Sequence, residues 1–577
     1  DGLHAGPLGR VRGRARNGQF INTLLQENEA GEKRFDISAT AVRETGRLRI
    51  HFQREALLNY QSWQFSPENL ITLGRDTLAI RDWRLQRGDD VLQLRDRAGR
   101  DLIAQFQQFD LRLFSNIVSY DSDYLAGTLN GNISLYEILS GLRLGADVEL
   151  ANFEVLGGDL GILTLVLEQE QPNNWEGRLA MRGDGHELAL DAVYRQQEPA
   201  AFVDLHLDAE SINLASLEPV LEAYTRDLSG TLHGQVTIEG MVTDPDITGS
   251  LAFTDAQLRL RELGALWKLD DRPIEFRTIN RNGQFYSAVV LSNFAMRDSL
   301  NNRIVVDGSV RTPDFQNLFL DLNLDADDFL VMNTTAKDNG DYHGYLRIKA
   351  DGQLSGPFSA AELRLNVTPV GDSRFVYNYS VDQISQVESG EGIIEFRSFD
   401  SLGVQPAAPA TDGVVSGDNL NPLGWDINVN TAVNDNLELR INTDPVTKDH
   451  FEGKGEGDLA FRLTPRGRME LTGRLEIVEG SYLFTYSELV KREFTVLEES
   501  YISWTGPVEE PELDVRAQYT TKATATPLVT DYESLSTSEQ AQLKNRQEFN
   551  IIFILSGELN DLEVATQIEY PRNSFNA

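Results

Sequence analysis

The chain of 577 residues contains no cysteine, and this absence excludes several kinds of chemistry at once. Disulfides, thiolate nucleophiles and cysteine-ligated zinc sites cannot form. The seven histidines are scattered, and no two of them have the spacing of metal ligands. The sequence also lacks a phosphate loop, a dinucleotide fingerprint and a Gly-x-Ser-x-Gly elbow. We therefore predict a protein that is not an enzyme, has no catalytic residues and binds no metal or cofactor.

Long apolar runs and positive charge are also scarce. The longest apolar runs, such as residues 551–555, are far shorter than the ~18 residues that would span a bilayer. Basic residues number 52 against 89 acidic ones, which gives a net charge of -37. This balance argues against nucleic acid or an anionic membrane surface as partner, because both are bound through clustered Lys and Arg. The sequence begins at Asp1 without a recognisable signal peptide, so we expect a mature part or an excerpt of a longer protein.

The sequence is dominated by apolar and polar residues in alternation, which is typical of strands that bury one face. Helical spacing is rare, and it predicts only two short helices, over residues 216–227 and 538–547. The apolar positions of the alternating segments form the predicted lining of a groove: Leu142, Leu144, Val148, Leu150, Val203, Leu205, Leu207, Ile274, Phe276, Leu318, Leu320, Leu322, Leu324, Leu363, Leu365, Leu459, Phe461, Leu463, Leu475, Ile477, Leu513 and Val515.

Strands bracketed by glycine recur at intervals of 103 to 114 residues, beginning at Gly127, Gly230, Gly344 and Gly453. Glycine inside a strand usually marks a bulge, a sharp bend or a close approach of two backbones. A sheet that folds over lengthwise needs such bends in strand after strand. The repeat therefore favours a sheet that curls along its length.

The fold class follows from how the apolar face is covered. Helices are too few to cover it, which leaves a row of β-sandwiches, a propeller, or one continuous curled sheet. Propeller repeats of about 40 to 50 residues are absent, and only residues 405–422 resemble a domain boundary. We predict an all-β fold, an elongated curled β-sheet with an apolar interior and a few short helices. Its parts would be an N-terminal groove over 1–126, a central repeating groove over 127–404, a flexible linker or loop over 405–422, and a C-terminal domain over 423–577.

An open trough lined by Leu, Ile, Val and Phe would expose more apolar surface than a soluble monomer tolerates, so we expect an apolar ligand to fill it. A slot that is similar along its whole length suits acyl chains better than a small ligand with fixed polar contacts. Trp504 and Tyr482 fit either the mouth of such a groove, near lipid headgroups, or ordinary core packing.

A succession of motifs in the C-terminal third resembles a known family. Residues 473–484, GRLEIVEGSYLF, are followed by 494–496, FTV, then by 502–506, ISWTG, and 511–515, PELDV. This succession resembles the conserved C-terminal domain of the TamB family, within the wider AsmA-like group. Residues 333–344, NTTAKDNGDYHG, resemble the version found in Bacteroidota.

The resemblance implies a periplasmic β-taco anchored in the inner membrane by an N-terminal segment that is missing here. It implies docking of the C-terminal end to an outer-membrane β-barrel of the Omp85 type, either TamA or a BamA-like protein. The family is associated with two roles. One is to carry phospholipids between the inner and outer membranes along the groove. The alternative is to assist the assembly of outer-membrane β-barrel proteins by strand augmentation. The family defines no catalytic residues, so none transfer to this chain.

Overall fold

The computed structural model describes residues 10–16, 19–27, 31–44, 46–113, 124–138, 141–281, 284–315, 317–378, 421, 424–444, 448–486, 490–529, 532–558 and 563–569. Within these ranges the chain forms 36 strands that belong to one mixed β-sheet, together with a few short helices. The predicted all-β fold class is therefore confirmed. The predicted linker, residues 405–422, lies outside the described residues apart from Asn421.

The strands are long in most of the chain and short between residues 47 and 87. The first eighteen are β1 (Arg10–Arg16), β2 (Gln19–Glu27), β3 (Lys33–Glu44), β4 (Arg47–Phe52), β5 (Glu55–Leu58), β6 (Gln61–Phe65), β7 (Leu70–Leu73), β8 (Leu78–Arg81), β9 (Trp83–Arg87), β10 (Asp90–Arg97), β11 (Asp101–Asp110), β12 (Leu125–Tyr136), β13 (Arg143–Val155), β14 (Gly158–Asp159), β15 (Ile162–Gln171), β16 (Asn174–Gly183), β17 (His186–Arg195) and β18 (Phe202–Asn213). The other eighteen are β19 (Thr225–Met241), β20 (Asp244–Leu260), β21 (Leu266–Leu269), β22 (Ile274–Arg281), β23 (Gln284–Arg297), β24 (Arg303–Thr312), β25 (Phe319–Asn333), β26 (Tyr342–Pro357), β27 (Glu362–Asn378), β28 (Asp426–Val433), β29 (Leu437–Asp444), β30 (Asp449–Leu463), β31 (Met469–Tyr486), β32 (Val490–Val496), β33 (Tyr501–Pro507), β34 (Glu512–Thr524), β35 (Arg546–Glu558) and β36 (Glu563–Glu569).

Contacts divide the chain into two compact units, which are described separately. Unit 1 contains Asp1–Arg259, Lys268–Leu291 and Val310–Leu318. Unit 2 contains the remaining segments, Leu260–Trp267, Ser292–Ser309 and Phe319–Ala577.

In unit 1 most consecutive strands pair as antiparallel hairpins. The turn between β16 and β17 illustrates the local chemistry, since Gly183 faces His186 across a two-residue loop of Asp184 and Gly185. Both loop residues have positive φ, +52° and +85°. An Asp-Gly pair suits this turn because Gly carries no Cβ penalty and Asp tolerates the left-handed conformation.

The predicted close approach of backbones at the bracketing glycines is confirmed in unit 1. A Cβ at Gly131 would lie 2.1 Å from the carbonyl oxygen of Asp147 on β13. A Cβ at Gly234 would lie 2.1 Å from the carbonyl oxygen of Ser250 on β20. Both glycines have φ above +100°, a conformation that L side chains rarely adopt. These positions therefore require glycine for two reasons, space and backbone conformation.

In unit 2 the antiparallel pairing of neighbouring strands is interrupted at β27. This strand pairs antiparallel with β26 but parallel with its two later neighbours. Its first part, from Glu362 to Val367, pairs with β28, and its second part, from Ser373 to Asn378, pairs with β29. Strands β28 and β29 then both pair antiparallel with β30. Alternation along a strand gives no sign of whether its neighbour runs parallel, so this crossover was not predicted.

The helix prediction over residues 216–227 is wrong at its C-terminal end. A 3-10 turn, Leu214–Leu217, leads into the four-residue helix Glu218–Leu221, and β19 already begins at Thr225. The Glu218 carboxylate accepts the backbone amide of Leu228, a buried residue of β19, at 2.9 Å. Burial of this strand end prevails over the helical spacing. The second predicted helix, over 538–547, is present as Thr537–Lys544, but its C-terminal end is also wrong, because β35 begins at Arg546. Three further 3-10 turns are Phe358–Ala360, Thr526–Leu528 and Tyr532–Ser534.

Each unit has its own packed core. In unit 1 the largest core is built around aromatic rings that contact one another at centroid distances of 4.9 to 5.7 Å. We call these rings the aromatic cluster: Phe52, Trp63, Phe65, Trp83, Phe106 and Phe109. In unit 2 the largest core, the C-terminal cluster, consists of Val433, Phe451, Leu475, Ile477, Val496, Ile502, Trp504 and Val515.

Candidate functional site

One face of the sheet in unit 1 carries a continuous row of residues that face one another from strand to strand. Facing residues of neighbouring strands share a face, so the whole row lies on one side of the sheet. Every member is apolar or glycine. We call it the central row: Phe65, Leu85, Leu92, Phe106, Gly131, Val148, Leu165, Leu179, Leu190, Leu207, Val236, Gly249, Phe276 and Val289.

The central row is only partly covered over β15 to β18. Leu165, Leu179, Leu190 and Leu207 are all half-buried, although they stand in the middle of long strands. In a sealed core such residues would be fully buried. The sheet therefore presents an apolar surface here that the described residues cover incompletely.

The two ends of these strands differ, which gives the face an open margin and a closed margin. At one end Trp175 of β16 faces Tyr194 of β17, and Tyr194 is 40% exposed. At the other end Gly183 faces His186, which is buried. A small core of buried Leu214, Leu228 and Ala256 lies on the neighbouring strands and the adjoining turn. Trp175 and Tyr194 therefore mark the open margin, and His186 marks the closed one.

His186 serves the structure of the closed margin. Its Nε2 lies 2.8 Å from the hydroxyl oxygen of Ser216. Burial lowers the pKa of its imidazole, an effect that the nearby charges of Asp159 and Asp184 only partly oppose. The ring is therefore neutral at pH 7, as a buried hydrogen-bonding group should be.

Unit 2 carries two comparable rows on β25 to β31. Each contains three predicted lining residues, and one facing residue connects each of them to the next, as Leu354 connects Leu322 to Leu363. Both also continue across the parallel junction between β27 and β28. The first row is Leu322, Leu354, Leu363, Ile427, Leu463 and Met469, and the second is Leu324, Gly352, Leu365, Val429, Phe461 and Leu471.

Most predicted lining residues are half-buried, as expected for the wall of an open groove. Two are exposed, Leu142 and Leu318, and each lies immediately before a strand, β13 and β25 respectively. The half-buried ones are Leu144, Leu150, Val203, Leu205, Leu207, Ile274, Phe276, Leu322, Leu324, Leu363, Leu365, Leu459, Phe461, Leu463 and Leu513. Their role in binding stays a prediction.

The remaining predicted residues are buried by the chain itself. Val148 packs in the core around the aromatic cluster, and Leu320 is buried on β25. Leu475, Ile477 and Val515 belong to the C-terminal cluster. These five positions are therefore covered by the protein, unlike the half-buried majority.

For Trp504 and Tyr482 the sequence allowed two interpretations, the mouth of the groove or core packing. Both residues contact the C-terminal cluster. Trp504 is a buried member of it, and its indole donates to the carbonyl oxygen of Val508 at 3.2 Å. Tyr482 is half-buried against the cluster and stacks on Phe484. Core packing is therefore the better interpretation of both.

Sequence reasoning missed five half-buried members of the central row: Leu92, Leu165, Leu179, Leu190 and Val289. On β15 the alternation is obscured, because Val166 on the opposite face is apolar too. On β16 and β17 alanines occupy outward positions, for example Ala180 and Ala189, which face each other. Pairing each segment with its neighbours would have revealed the row, but register cannot be read from one strand alone.

The opposite face of unit 2 is polar. A cavity of about 490 Å³ opens there, lined by residues that include Lys349, Asp351 and Asp458. Its polar side chains bond to one another, with the Asn366 amide donating to Asp351 at 2.9 Å and the Asn430 amide donating to Asn366 at 3.2 Å. Asp351, Asn366 and Asn430 each follow or precede a member of the second row along their strand, so these polar side chains lie on the face opposite that row. The predicted lining residue Leu459 also lines the cavity.

Among the described residues, no group of three or more His, Cys, Asp or Glu side chains could hold a metal ion. No helix in the described part of the chain is long and apolar enough to cross a membrane.

Comparison with known proteins identifies the region that carries the rows of unit 2. No curated protein matches the chain. Residues 292–574 match the family described as TamB, TamB C-terminal domain. The family works in the cell envelope, in lipid transport or in the assembly of outer-membrane proteins. The Bacteroidota type and the missing anchor stay predictions. The chain thus carries a TamB C-terminal domain over residues 292–574, which supports its assignment to the TamB type.

Proposed function

We propose that this protein is a conduit for phospholipids between the inner and outer membranes. Acyl chains lie along the apolar face of the sheet, and headgroups remain in water at the open margin. The observation that supports this most directly is the central row, which is continuous from strand to strand yet half-buried at Leu165, Leu179, Leu190 and Leu207.

The energetics of such a surface suit transport. Burying one CH₂ group contributes about 0.8 kcal/mol, so an acyl chain enters the groove favourably. Facing positions from Leu165 to Leu207 are alike in chemistry, so movement from one to the next meets only small barriers. A net charge of -37 does not oppose this, because only the tails contact the apolar face.

The open margin suits the interfacial part of a lipid. Trp175 and Tyr194 face each other there, and both rings combine an apolar body with a polar tip. Such rings preferentially lie at the depth of the lipid glycerol and headgroup, where an apolar region meets water. We propose that they mark the depth at which the headgroup emerges into water.

The match to the TamB family supports a location in the cell envelope. We propose a periplasmic protein, anchored in the inner membrane through a segment that precedes this sequence. At the outer membrane it would meet an Omp85-type β-barrel, TamA or a BamA-like protein. We propose no enzymatic activity, no cofactor and no role for nucleic acid.

A matched pair of substitutions on β15 tests the conduit. Leu165 lies in the central row, whereas its neighbour Val166 points to the opposite face and is exposed. Phospholipid that copurifies with the protein would be measured by mass spectrometry for Leu165→Asp and Val166→Asp. We expect the amount of bound phospholipid to fall at least tenfold in Leu165→Asp and to stay at the wild-type level in Val166→Asp. Circular dichroism should show that both variants are folded. Wild-type protein that carries no phospholipid would contradict the proposal.

A second candidate function is the assembly of outer-membrane β-barrels by strand augmentation. The observation that favours it is β36, which pairs with β35 through seven facing residues and has no second partner strand in the described ranges. Ile568 on this strand is exposed. An edge of this kind can accept a strand from another chain.

A further inference from the structure

The central row of unit 1 does not stay open along its whole length. Towards β6 it enters the aromatic cluster, where Phe65 and Phe106, both members of the row, are buried. The ring centroid of Phe65 lies 5.2 Å from that of Trp83, and the Trp63 and Phe109 centroids are 5.5 Å apart. Acyl chains cannot occupy this stretch while the rings fill it.

Beyond the aromatic cluster the apolar face opens again. On β2, Phe20 is 51% exposed and Leu24 is 43% exposed. Leu24 faces Ile37, and Ile37 packs against the core around the cluster. A second facing row connects Phe20 to the same core: Phe20, Ala41, Ile50, Ile71 and Ile80. The cluster therefore separates two apolar surfaces within unit 1.

The hairpin of β5 and β6, residues 55–65, inserts the central rings of the cluster. It carries Trp63, which is 1% exposed, as well as Phe65. Its loop residues Asn59 and Tyr60 both have positive φ, as a tight two-residue hairpin turn requires.

This hairpin is held to the sheet by few strand pairs. It has one facing pair with β3, between Asp36 and Leu57, and two with β9, Gln64 with Gln86 and Phe65 with Leu85. Strands β12 and β13, by comparison, share eleven. In its loop, the backbone amide of Tyr60 donates to the carbonyl oxygen of Arg34 at 3.0 Å, and the Arg34 guanidinium donates to the side-chain oxygen of Asn59 at 3.2 Å. Few strand pairs favour local opening, and the cost of opening is the exposure of Ala56, Leu58, Trp63 and Phe65, which the hairpin buries.

The closed arrangement also leaves polar atoms unsatisfied. The indole N–H groups of Trp63 and Trp83 are buried and have no acceptor among the described residues. A buried donor without an acceptor destabilises the state that buries it. Opening would return at least the Trp63 donor to water, which offsets part of the apolar contact that is lost.

We propose that the β5–β6 hairpin is a gate between two acyl-chain surfaces of unit 1. In the closed state seen here, Trp63 and Phe65 interrupt the apolar face. When the hairpin swings away, the surface at Phe20 and Leu24 joins the half-buried part of the central row. This inference rests on the proposed conduit function and names the point at which passage of lipid is controlled.

A disulfide lock tests the gate, since the chain has no cysteine of its own. Gln64 of the hairpin faces Gln86 of β9, and both side chains are exposed. Facing residues of antiparallel strands are close enough for a disulfide. The lock is Gln64→Cys with Gln86→Cys. The matched control is Asp204→Cys with Glu239→Cys, an exposed facing pair on β18 and β19.

The readout is photo-crosslinking to phospholipid in cells that produce the whole protein. A benzophenone amino acid replaces Leu24 on one side of the cluster or Leu190 on the other, and crosslinked lipid is quantified by mass spectrometry. We expect oxidation of the lock to change the ratio of lipid captured at the two positions at least tenfold, and reduction to restore it. The control disulfide should leave the ratio unchanged.

Three other outcomes would overturn the gate. An unchanged ratio with the lock fully oxidised would show that lipid passes without movement of the hairpin. If lipid were captured at only one of the two positions whether the lock was oxidised or reduced, the aromatic cluster would be a permanent barrier between the two surfaces. Absence of phospholipid at both Leu24 and Leu190 in every variant would refute the conduit itself, and the gate with it.

Discussion

The carboxylate of Asp298 accepts the backbone amide of Leu330 at 2.7 Å, in the buried part of unit 2. Strand β25 is irregular here, because its register with β26 shifts between Leu330 and Met332. The carbonyl oxygen of Leu330 is satisfied by the indole of Trp267 at 3.2 Å. Two side chains thus supply the hydrogen bonds of a residue that is 2% exposed.

Removing the Asp298 carboxylate should destabilise unit 2. Its oxygens also accept the amides of Leu300 and Asn302, at 2.8 and 2.9 Å, so Asp298→Ala leaves several donors unsatisfied. We expect the free energy of unfolding to fall by about 2 to 3 kcal/mol. The measurement is urea denaturation followed by tryptophan fluorescence, which includes the nearby Trp267. Asp307→Ala is the control, since its carboxylate accepts one exposed amide, that of Asn293. Equal losses for the two variants would contradict the argument.

A charge in the rows of unit 2 should block lipid transfer. Leu322 and Phe461 are half-buried row members, and an unpaired carboxylate there would have to lose its hydration when an acyl chain passes. We expect Leu322→Asp and Phe461→Asp to lower transfer at least tenfold. The assay is movement of labelled phospholipid between donor and acceptor vesicles.

The control for this series is Asn323→Asp, which adds the same charge next to Leu322 at an exposed position of β25. It should transfer lipid at the wild-type rate. Circular dichroism and thermal melting distinguish loss of transfer from loss of folding. Normal transfer by correctly folded Leu322→Asp and Phe461→Asp would count decisively against a route through these rows.

Much of the apolar face could be predicted from single strands, because alternation alone assigns Leu205 and Leu207 to one side. The aromatic cluster could not, since Trp63 and Phe109 meet only after the short strands between them have paired. The helix over 216–227 failed for a related reason. Local spacing favoured a helix, whereas burial of Leu228 favoured a strand. Where the pattern of a single strand gave a wrong or ambiguous prediction, burial against other strands therefore determined the structure.

The stability of the protein should depend on pH through His186 and His343. Burial is the largest cause of the lowered pKa at both imidazoles, and Arg374 and Arg440 add to it at His343. The folded pKa lies below the unfolded value near 6.5, so the unfolded state binds protons first as the pH falls. Stability is therefore full above pH 6.5 and decreases as the pH falls through the folded pKa. Melting temperatures measured from pH 7.5 to 5.0 should show this decrease.

The two histidines can be separated by substitution. His186→Gln should flatten part of the decrease below pH 6.5, and a further His343→Gln should flatten more of it. Both variants are compared with His51→Gln, which alters an exposed histidine on β4. If His186→Gln and His51→Gln gave the same pH profile as the wild type, acid lability would have another origin.

The edge strand β36 offers a test that separates assembly from transport. Along an antiparallel edge, neighbouring residues direct their amides alternately to the partner strand and away from it. One of Thr566 and Gln567 therefore presents its amide outward, and proline at that position removes a donor that an incoming strand needs. If augmentation is the function, proline at the outward position should reduce the amount of assembled outer-membrane β-barrel at least fivefold, as measured by heat-modifiable gel mobility. Lipid transfer should be unchanged, and proline at the other position should instead weaken pairing with β35. Equal barrel assembly in all three proteins would remove the support that β36 gives to the second candidate function.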